Sequence, residues 1–171
     1  MTMSFSIAKN EDLASLSSFV NRAYRGDSAR LGWTHEADLL GGTRVDESLL
    51  AEENARGVSL VLARLEDELV GCYHFEMIDA ETAYVGMITV EPTKQGGGLG
   101  KTLLENAFAR ARSLGAQRIN LTVMADRQEL IAYYQRRGFL LTGQQHPFEP
   151  GDERYGLPRK ALMLLVMSRK L

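Results

Sequence analysis

A glycine-rich hexapeptide is the feature of this sequence whose residue types and spacing are best suited to chemistry. Residues 95–100, Gln-Gly-Gly-Gly-Leu-Gly, contain four glycines, and a helical pattern follows at once. Backbone amides at the positive end of a helix form a binding site for an anion. Glycine is needed where a ligand oxygen must come within hydrogen-bond reach of the backbone, since side chains would block it. The loop therefore predicts a phosphate site.

The elements on either side of this loop must hold it in place. Residues 84–90 are apolar and β-branched, as in a buried strand, and Pro92 ends that strand because proline donates no ladder hydrogen bond. After the loop, apolar residues recur at helical spacing until Gly115 provides a stop. The loop thus connects a strand to a helix.

Three glycine motifs compete for the identity of the bound phosphate. A nucleotide P-loop, G-x-x-x-x-G-K-S/T, would require glycine in place of Gln95. A dinucleotide motif, G-x-G-x-x-G, fails at its last glycine, which is Lys101 or Leu103 here. A third pattern, Q/R-x-x-G-x-G/A, fits Gln95, Gly98 and Gly100 without exception.

The remaining periodicities predict the order β-α-α-β-β-β-α-β-α-β-β. Strands are expected at residues 4–8, 59–66, 68–78, 84–90, 118–124, 139–142 and 161–166, and a polar loop at 144–158. The three strands between 59 and 90 are expected to form an antiparallel meander. The strand, helix and strand that follow imply parallel pairing through a right-handed crossover.

The strand, the Glu-Pro pair, the hexapeptide and the amphipathic helix together resemble the acyl-CoA-binding core of the GCN5-related N-acetyltransferases (GNAT). A second match is the run 133–139, Tyr-Tyr-Gln-Arg-Arg-Gly-Phe, because a helix in this family commonly ends Tyr-x-x-x-Gly-Phe and Tyr134 stands four residues before Gly138. The resemblance implies an α/β fold with a mixed, mostly antiparallel sheet, a central splayed parallel strand pair and flanking helices. We expect residues 1–171 to form a single domain of this kind.

The resemblance also implies an activity, N-acetyl transfer from acetyl-CoA to a primary amine of a small molecule. Backbone groups of Ile88, Thr89 and Val90 would pair with the pantetheine arm, and the Val90 amide would stabilise the oxyanion. Tyr134 would protonate the leaving CoA thiolate. The residues expected to hold the pyrophosphate are Gln95, Gly96, Gly97, Gly98, Leu99, Gly100 and Lys101.

Two assignments stay open at this point. Arg127 stands where the family often has an asparagine, and it is expected either to meet a CoA phosphate or to cap a helix. Many family members have a glutamate base where this chain has Tyr84. A water chain that ends on Glu76 or Glu36 is the favoured base, and the other candidates are Asp38, His74 and His146.

The composition limits the function classes. A net charge of −2 gives no electrostatic basis for binding nucleic acid or an anionic membrane. The single cysteine, Cys72, excludes an internal disulfide framework and fits a reducing cytoplasm. We find no signal peptide and no apolar run of the ~20 residues that span a bilayer. The three histidines lack metal-ligand spacing, so we expect a cytoplasmic protein without a metal.

The family resemblance suggests a homodimer. Two alternative functions stay open: a P-loop nucleotide enzyme, against which Gln95 counts, and an acyl-CoA-binding domain. A domain that binds acyl-CoA as a sensor or partner, without turnover, would carry the same cofactor motifs.

Overall fold

The computed structural model describes residues 2–24, 40–41, 45–148, 157–158 and 161–171. The candidate bases Glu36 and Asp38 lie outside these residues, as does most of the predicted loop 144–158.

The described elements follow the predicted order, with one additional pair of very short strands. The strands are β1 (Met3–Ile7), β2 (Leu40–Gly41), β3 (Ser59–Leu65), β4 (Glu68–Met77), β5 (Thr82–Val90), β6 (Arg118–Met124), β7 (Leu140–Pro147), β8 (Leu157–Pro158) and β9 (Met163–Lys170). The helices are α1 (Leu13–Tyr24), α2 (Glu47–Ala55), α3 (Leu99–Ser113) and α4 (Gln128–Arg136).

Seven of these strands form one sheet in the order β1-β3-β4-β5-β6-β9-β7, and β2 and β8 pair separately. The β5–β6 pair is parallel, and every other described pair is antiparallel. The predicted antiparallel meander is therefore confirmed as β3-β4-β5. The predicted parallel crossover is confirmed as β5-α3-β6.

Two predicted boundaries were wrong. The last strand was expected at 161–166, but β9 spans Met163–Lys170. Residues 144–147 were expected in a loop, but they belong to β7, where Gln145 pairs with Leu165 and Pro147 pairs with Met163. β7 is the edge strand of the sheet, and all of its side chains are exposed. A strand exposed on both faces carries no apolar alternation, so its sequence does not differ from that of a polar loop.

The sheet is covered on both faces, and β3 shows how. Val61 and Ala63 are buried in the cluster that includes residues of α3 and α4, whereas Leu60 and Leu62 are buried in the cluster that includes residues of α1 and α2. Side chains alternate between the two faces of a strand. Two-sided burial therefore explains why the sequence of β3 is almost continuously apolar.

The parallel pair at the centre is short. β5 and β6 pair only at Thr82–Arg118, Ala83–Ile119 and Tyr84–Asn120, although both strands continue beyond these residues. Within β5, Met87 has a left-handed φ of 49°, and the register with β4 shifts between Cys72 and His74. This β-bulge bends the strand at the level where it leaves β6. The predicted splayed pair is therefore present, and a gap opens between the two strands.

The start of α2 gives a stability test. Asp46 is its N-cap residue, and its carboxylate accepts a hydrogen bond of 2.8 Å from the Leu49 amide. We expect Asp46→Ala to lower the free energy of unfolding by about 1 kcal/mol, because that amide loses its acceptor. Asp46→Asn keeps an N-cap acceptor and should cost less. Urea denaturation checks both variants, and equal losses would show that charge, not the cap hydrogen bond, matters at this position.

Candidate active site

The glycine loop connects β5 to α3, as the sequence predicts. Gly98 is the N-cap residue of α3 and has a left-handed φ of 86°, a conformation that side chains disfavour. Its carbonyl accepts hydrogen bonds of 3.1 Å from both the amide and the hydroxyl of Thr102. The loop is thereby fixed to the first turn of the helix, with the helix N-terminus directed towards it.

The amides of this loop remain available for a ligand. No described residue accepts a hydrogen bond from the backbone N–H groups of residues 96–101. The first amides of a helix lack intrahelical partners, and here three glycines precede them without side chains that could cap them. The arrangement is that of an anion site.

A close approach explains the last glycine. A Cβ atom on Gly100 would lie 2.7 Å from the hydroxyl oxygen of Tyr133, which comes from α4. The loop and α4 therefore form two walls of one cleft, and only glycine fits at this point of contact. The Arg137 guanidinium makes a cation–π contact with the Tyr133 ring, at 5.0 Å from the ring centroid.

The backbone of β5 borders the same cleft. Because the Glu91 amide bonds the Val70 carbonyl at 3.0 Å, the next pair, Val90 and Gly71, is a non-hydrogen-bonded pair of the antiparallel ladder. The Val90 amide and carbonyl consequently turn away from β4, towards the gap beside β6. The Gln95 side chain donates to the Val90 carbonyl at 3.3 Å, which fixes the strand to the loop.

Two larger cavities and one small one occupy the gap. The first, of about 600 Å³, contains the glycine loop. The second, of about 290 Å³, lies along the inner ends of β5 and β6. Both are lined by Ile88, Leu130 and Tyr134, as is a small cavity of about 50 Å³. We call the first the loop cavity and the second the inner cavity.

Tyr134 lies where the two cavities meet. It is 7% exposed, and its hydroxyl makes no hydrogen bond with a described residue. Burial raises the pKa of the Tyr134 phenol far above its usual range, and Tyr24 adds to this, whereas the Arg127 guanidinium opposes it. The side chain is therefore a neutral hydroxyl donor at every pH at which the protein would work.

Charged and titratable side chains line the inner cavity. Glu53 of α2 and His74 of β4 both line it, and Glu53 Oε2 lies 3.5 Å from His74 Nδ1. Tyr84, which stands where the family often has its glutamate base, also lines this cavity and shares a hydrogen bond of 3.1 Å with Thr122. Arg127 lines the same cavity, so Glu53 is the described group there whose charge would attract an amine.

The structure brings most of the predicted site residues together. The loop cavity is lined by Ile88, Val90, Gln95, Gly96, Gly98, Gly100, Lys101 and Tyr134. Thr89 lines only the small cavity, where its hydroxyl donates to the Met87 carbonyl at 2.8 Å. Gly97 and Leu99 belong to the loop but line none of the described cavities.

Two more of the predicted residues lie outside the loop cavity, and a third is not among the described residues. Arg127 is buried at the N-terminus of α4 and lines the inner and small cavities but not the loop cavity, a placement that does not favour contact with a CoA phosphate. Glu76 lines none of the described cavities, and its Oε1 is 3.6 Å from His74 Nε2. Glu36 is outside the described residues.

Sequence reasoning missed several lining residues. Arg136 and Arg137 line the loop cavity. Together with Lys101 they also line an adjoining cleft of about 490 Å³, whose other basic residues are Arg112 and Arg169. Both arginines lie inside the Tyr-x-x-x-Gly-Phe motif, so their proximity to the loop could have been inferred. Glu53 had no such signal, because it lies on a short helix without a motif.

Two further searches concern the described residues alone. No group of three or more His, Cys, Asp or Glu side chains among them could hold a metal ion. None of their helices is both long and apolar enough to cross a membrane.

Comparison with known proteins identifies the family. Residues 27–139 match the sequence model of the Acetyltransferase (GNAT) family. An IAA acetyltransferase from Azospirillum brasilense is 32% identical over 108 residues, which cover 62% of this chain and 68% of that relative. The chain belongs to the GNAT acetyltransferase family, as its two motifs predict.

Other similar proteins place this result in context. A mycothiol acetyltransferase from Actinosynnema mirum is 33% identical over 73 residues, 43% of this chain, and the match spans only 25% of that relative. The structure of Ard1 from Thermoplasma volcanium has a TM-score of 0.72 and 14% identity, and covers 100% of this chain and 99% of its own. YncA from Salmonella typhimurium, solved with its cofactor acetyl-CoA, has a TM-score of 0.67 and 23% identity, and covers 100% of this chain and 95% of its own. These likenesses confirm the predicted fold class.

The contact between the loop and α4 can be tested by a double-mutant cycle. We expect Gly100→Ala to lower the free energy of unfolding by about 1–3 kcal/mol, since its Cβ would overlap the Tyr133 hydroxyl. In a Tyr133→Phe background the next ring atom is 3.6 Å away, an ordinary contact. There the same substitution should be neutral, or stabilising by up to about 1 kcal/mol from helix propensity. Equal effects in both backgrounds, measured by urea unfolding, would contradict this packing.

Proposed function

We propose that this chain is an N-acetyltransferase that moves an acetyl group from acetyl-CoA to a primary amine of a small molecule by direct attack in a ternary complex. The observation that carries the proposal is the position of Tyr134, a buried neutral phenol at the junction of an anion-binding cavity and a cavity lined by Glu53 and His74. Donor and acceptor would thus meet at one hydroxyl.

The loop cavity suits the donor. Its unpaired loop amides and the helix dipole favour a pyrophosphate, and Lys101, Arg136 and Arg137 add positive charge. The ladder geometry of β5 turns the Val90 amide towards the gap, where a pantetheine arm would add to the strand edge. An extended ligand that pairs with an exposed strand gains main-chain hydrogen bonds without needing matched side chains.

Acyl transfer itself needs few groups once the two substrates are aligned. A neutral amine attacks the thioester carbonyl, and the Val90 amide donates to the oxygen as negative charge develops on it. When the tetrahedral intermediate collapses, the carbon–sulfur bond breaks and the thiolate takes a proton from Tyr134. The proton that the attacking nitrogen loses restores the phenol.

The raised pKa of Tyr134 affects this step in two ways. It keeps the phenol protonated at the alkaline pH at which amines become neutral nucleophiles. It also makes transfer of the proton to a thiolate more uphill than for an ordinary phenol, because a thiol has a pKa near ~8.5. Protonation is therefore expected to be concerted with cleavage of the carbon–sulfur bond.

A panel of acceptors tests the reaction class. The release of free thiol from acetyl-CoA is followed with n-butylamine, phenethylamine, spermidine, L-leucine and a short peptide with a free N-terminus. We expect amine-dependent release, with the acetylated product seen by mass spectrometry, for at least one small amine. Release with the peptide alone would move the acceptor class to protein N-termini. Acetyl-CoA binding without release for any acceptor would support the non-catalytic acyl-CoA-binding alternative.

The acid role of Tyr134 gives a second prediction. Tyr134→Phe should lower kcat by about 10²-fold or more, the usual contribution of a positioned general acid, with little change in acetyl-CoA affinity. Tyr73→Phe is the matched control, because that hydroxyl is bonded to Asn106 in the core and lines none of the described cavities. Steady-state kinetics and calorimetric titration with acetyl-CoA separate the two quantities. A kcat unchanged in Tyr134→Phe would remove the phenol from the mechanism.

A further inference from the structure

The proposed reaction requires a neutral amine, and the motifs of the sequence do not say what removes its proton. Small alkylamines are protonated at neutral pH, since an amine of the lysine type loses its proton near pH ~10. Among the described residues, the groups that could accept this proton line the inner cavity, because the described lining of the loop cavity has only cations and neutral groups. The described charged residues of the inner cavity are Glu53, His74 and Arg127.

Glu53 is unusual for a carboxylate. Only 11% of its side chain is exposed, and its Oε2 is buried without a hydrogen-bond partner among the described residues. A buried charge without such a partner costs stability, and a purely structural role does not account for it. Its nearest polar neighbour is His74 Nδ1, at 3.5 Å.

His74 connects Glu53 with the surface. Its other ring nitrogen, Nε2, lies 3.6 Å from Glu76 Oε1, and the Glu76 side chain is 40% exposed. The ring also packs edge-on against Tyr84 of β5, with centroids 5.7 Å apart, and its partner on β3 is the apolar Leu60. The groups that face the imidazole from the described elements are thus two carboxylates and one phenol ring. The three side chains form a row that leads from the inner cavity to solvent.

We propose that Glu53, His74 and Glu76 form a proton relay that deprotonates the acceptor amine, an inference that rests on the proposed function. The ammonium binds Glu53 and gives it one proton, and Glu53 passes that proton to His74 Nδ1. His74 Nε2–H gives a proton to Glu76, which releases it to water. Glu53 and Glu76 return to their starting states, and the amine is left neutral for attack. His74 is left as the Nδ1–H tautomer and regains the Nε2–H form by exchanging protons with water before the next turnover.

The two gaps in the row are consistent with this role. Distances of 3.5 and 3.6 Å are too long for hydrogen bonds. Catalytic hydrogen bonds are often long without substrate and shorten in the complex. A positive charge on the imidazole would form between two carboxylates, which stabilises the intermediate stage of the transfer.

The relay predicts a loss of activity that depends on pH. With the fastest small amine of the panel, Glu53→Gln and His74→Gln should each lower kcat/KM about 100-fold at pH 7. At pH 10 the deficit should shrink to a few-fold, because solvent has by then removed the proton that the relay would take. Glu76→Gln should cost less at pH 7, since water can replace an exposed carboxylate.

Glu52→Gln is the matched control, because it removes the same charge from the exposed neighbouring position of α2. Calorimetry should give an unchanged acetyl-CoA Kd for all four variants, and thermal melts verify their folding. A deficit of the same size at pH 7 and pH 10 would overturn the relay, as would a Glu52→Gln effect as large as that of Glu53→Gln. If the wild type acetylates small amines and both Glu53→Gln and His74→Gln retain its pH profile, the relay alone fails. If the wild type acetylates none, the proposed function fails and the relay fails with it.

Discussion

The divergence of β5 from β6 is the constraint on which the rest of the structure depends. Two parallel strands that stayed paired would use their facing amides and carbonyls on each other, and no ligand could reach them. Here the pairing ends at Tyr84–Asn120, and the bulge at Met87 bends β5 away. Buried backbone groups must find partners, so an opened strand edge needs water, side chains or a ligand. Tyr24 already supplies one of them, through a hydrogen bond of 2.5 Å to the Ile88 carbonyl.

The two cavities differ in the charged groups that line them, and this difference follows from how each is built. The loop cavity is formed by the N-terminus of α3 and by cations of α4, which together attract a polyanion. The inner cavity takes a carboxylate from α2, an imidazole from β4 and the guanidinium of Arg127, so that it holds groups of both signs. Tyr134 separates them without carrying charge. Burial between the two cavities disfavours an ionised side chain at this position, which is why a neutral phenol suits it.

This arrangement lowers stability locally, and the core compensates for it. Met87 has an unfavourable φ, Glu53 has an unsatisfied carboxylate oxygen, and the Tyr134 hydroxyl has no described partner. Natural proteins retain such features where function requires them and offset them elsewhere. The compensation here is a sheet covered on both faces, with side chains of β3 contributing alternately to two apolar clusters.

The sequence by itself determined the elements, their order, the glycine loop between β5 and α3 and the position of Tyr134 on α4, because each is specified by residues close together in the chain. A strand, a glycine loop and a helix are contiguous, and Tyr134 is fixed by its spacing from Gly138. Only the tertiary structure decided that Glu53 meets His74, that Arg127 faces the inner cavity and that β7 extends through residues that resemble a loop. Such contacts depend on how elements that are distant in the sequence pack against one another, and the local pattern of apolar and polar residues does not predict them.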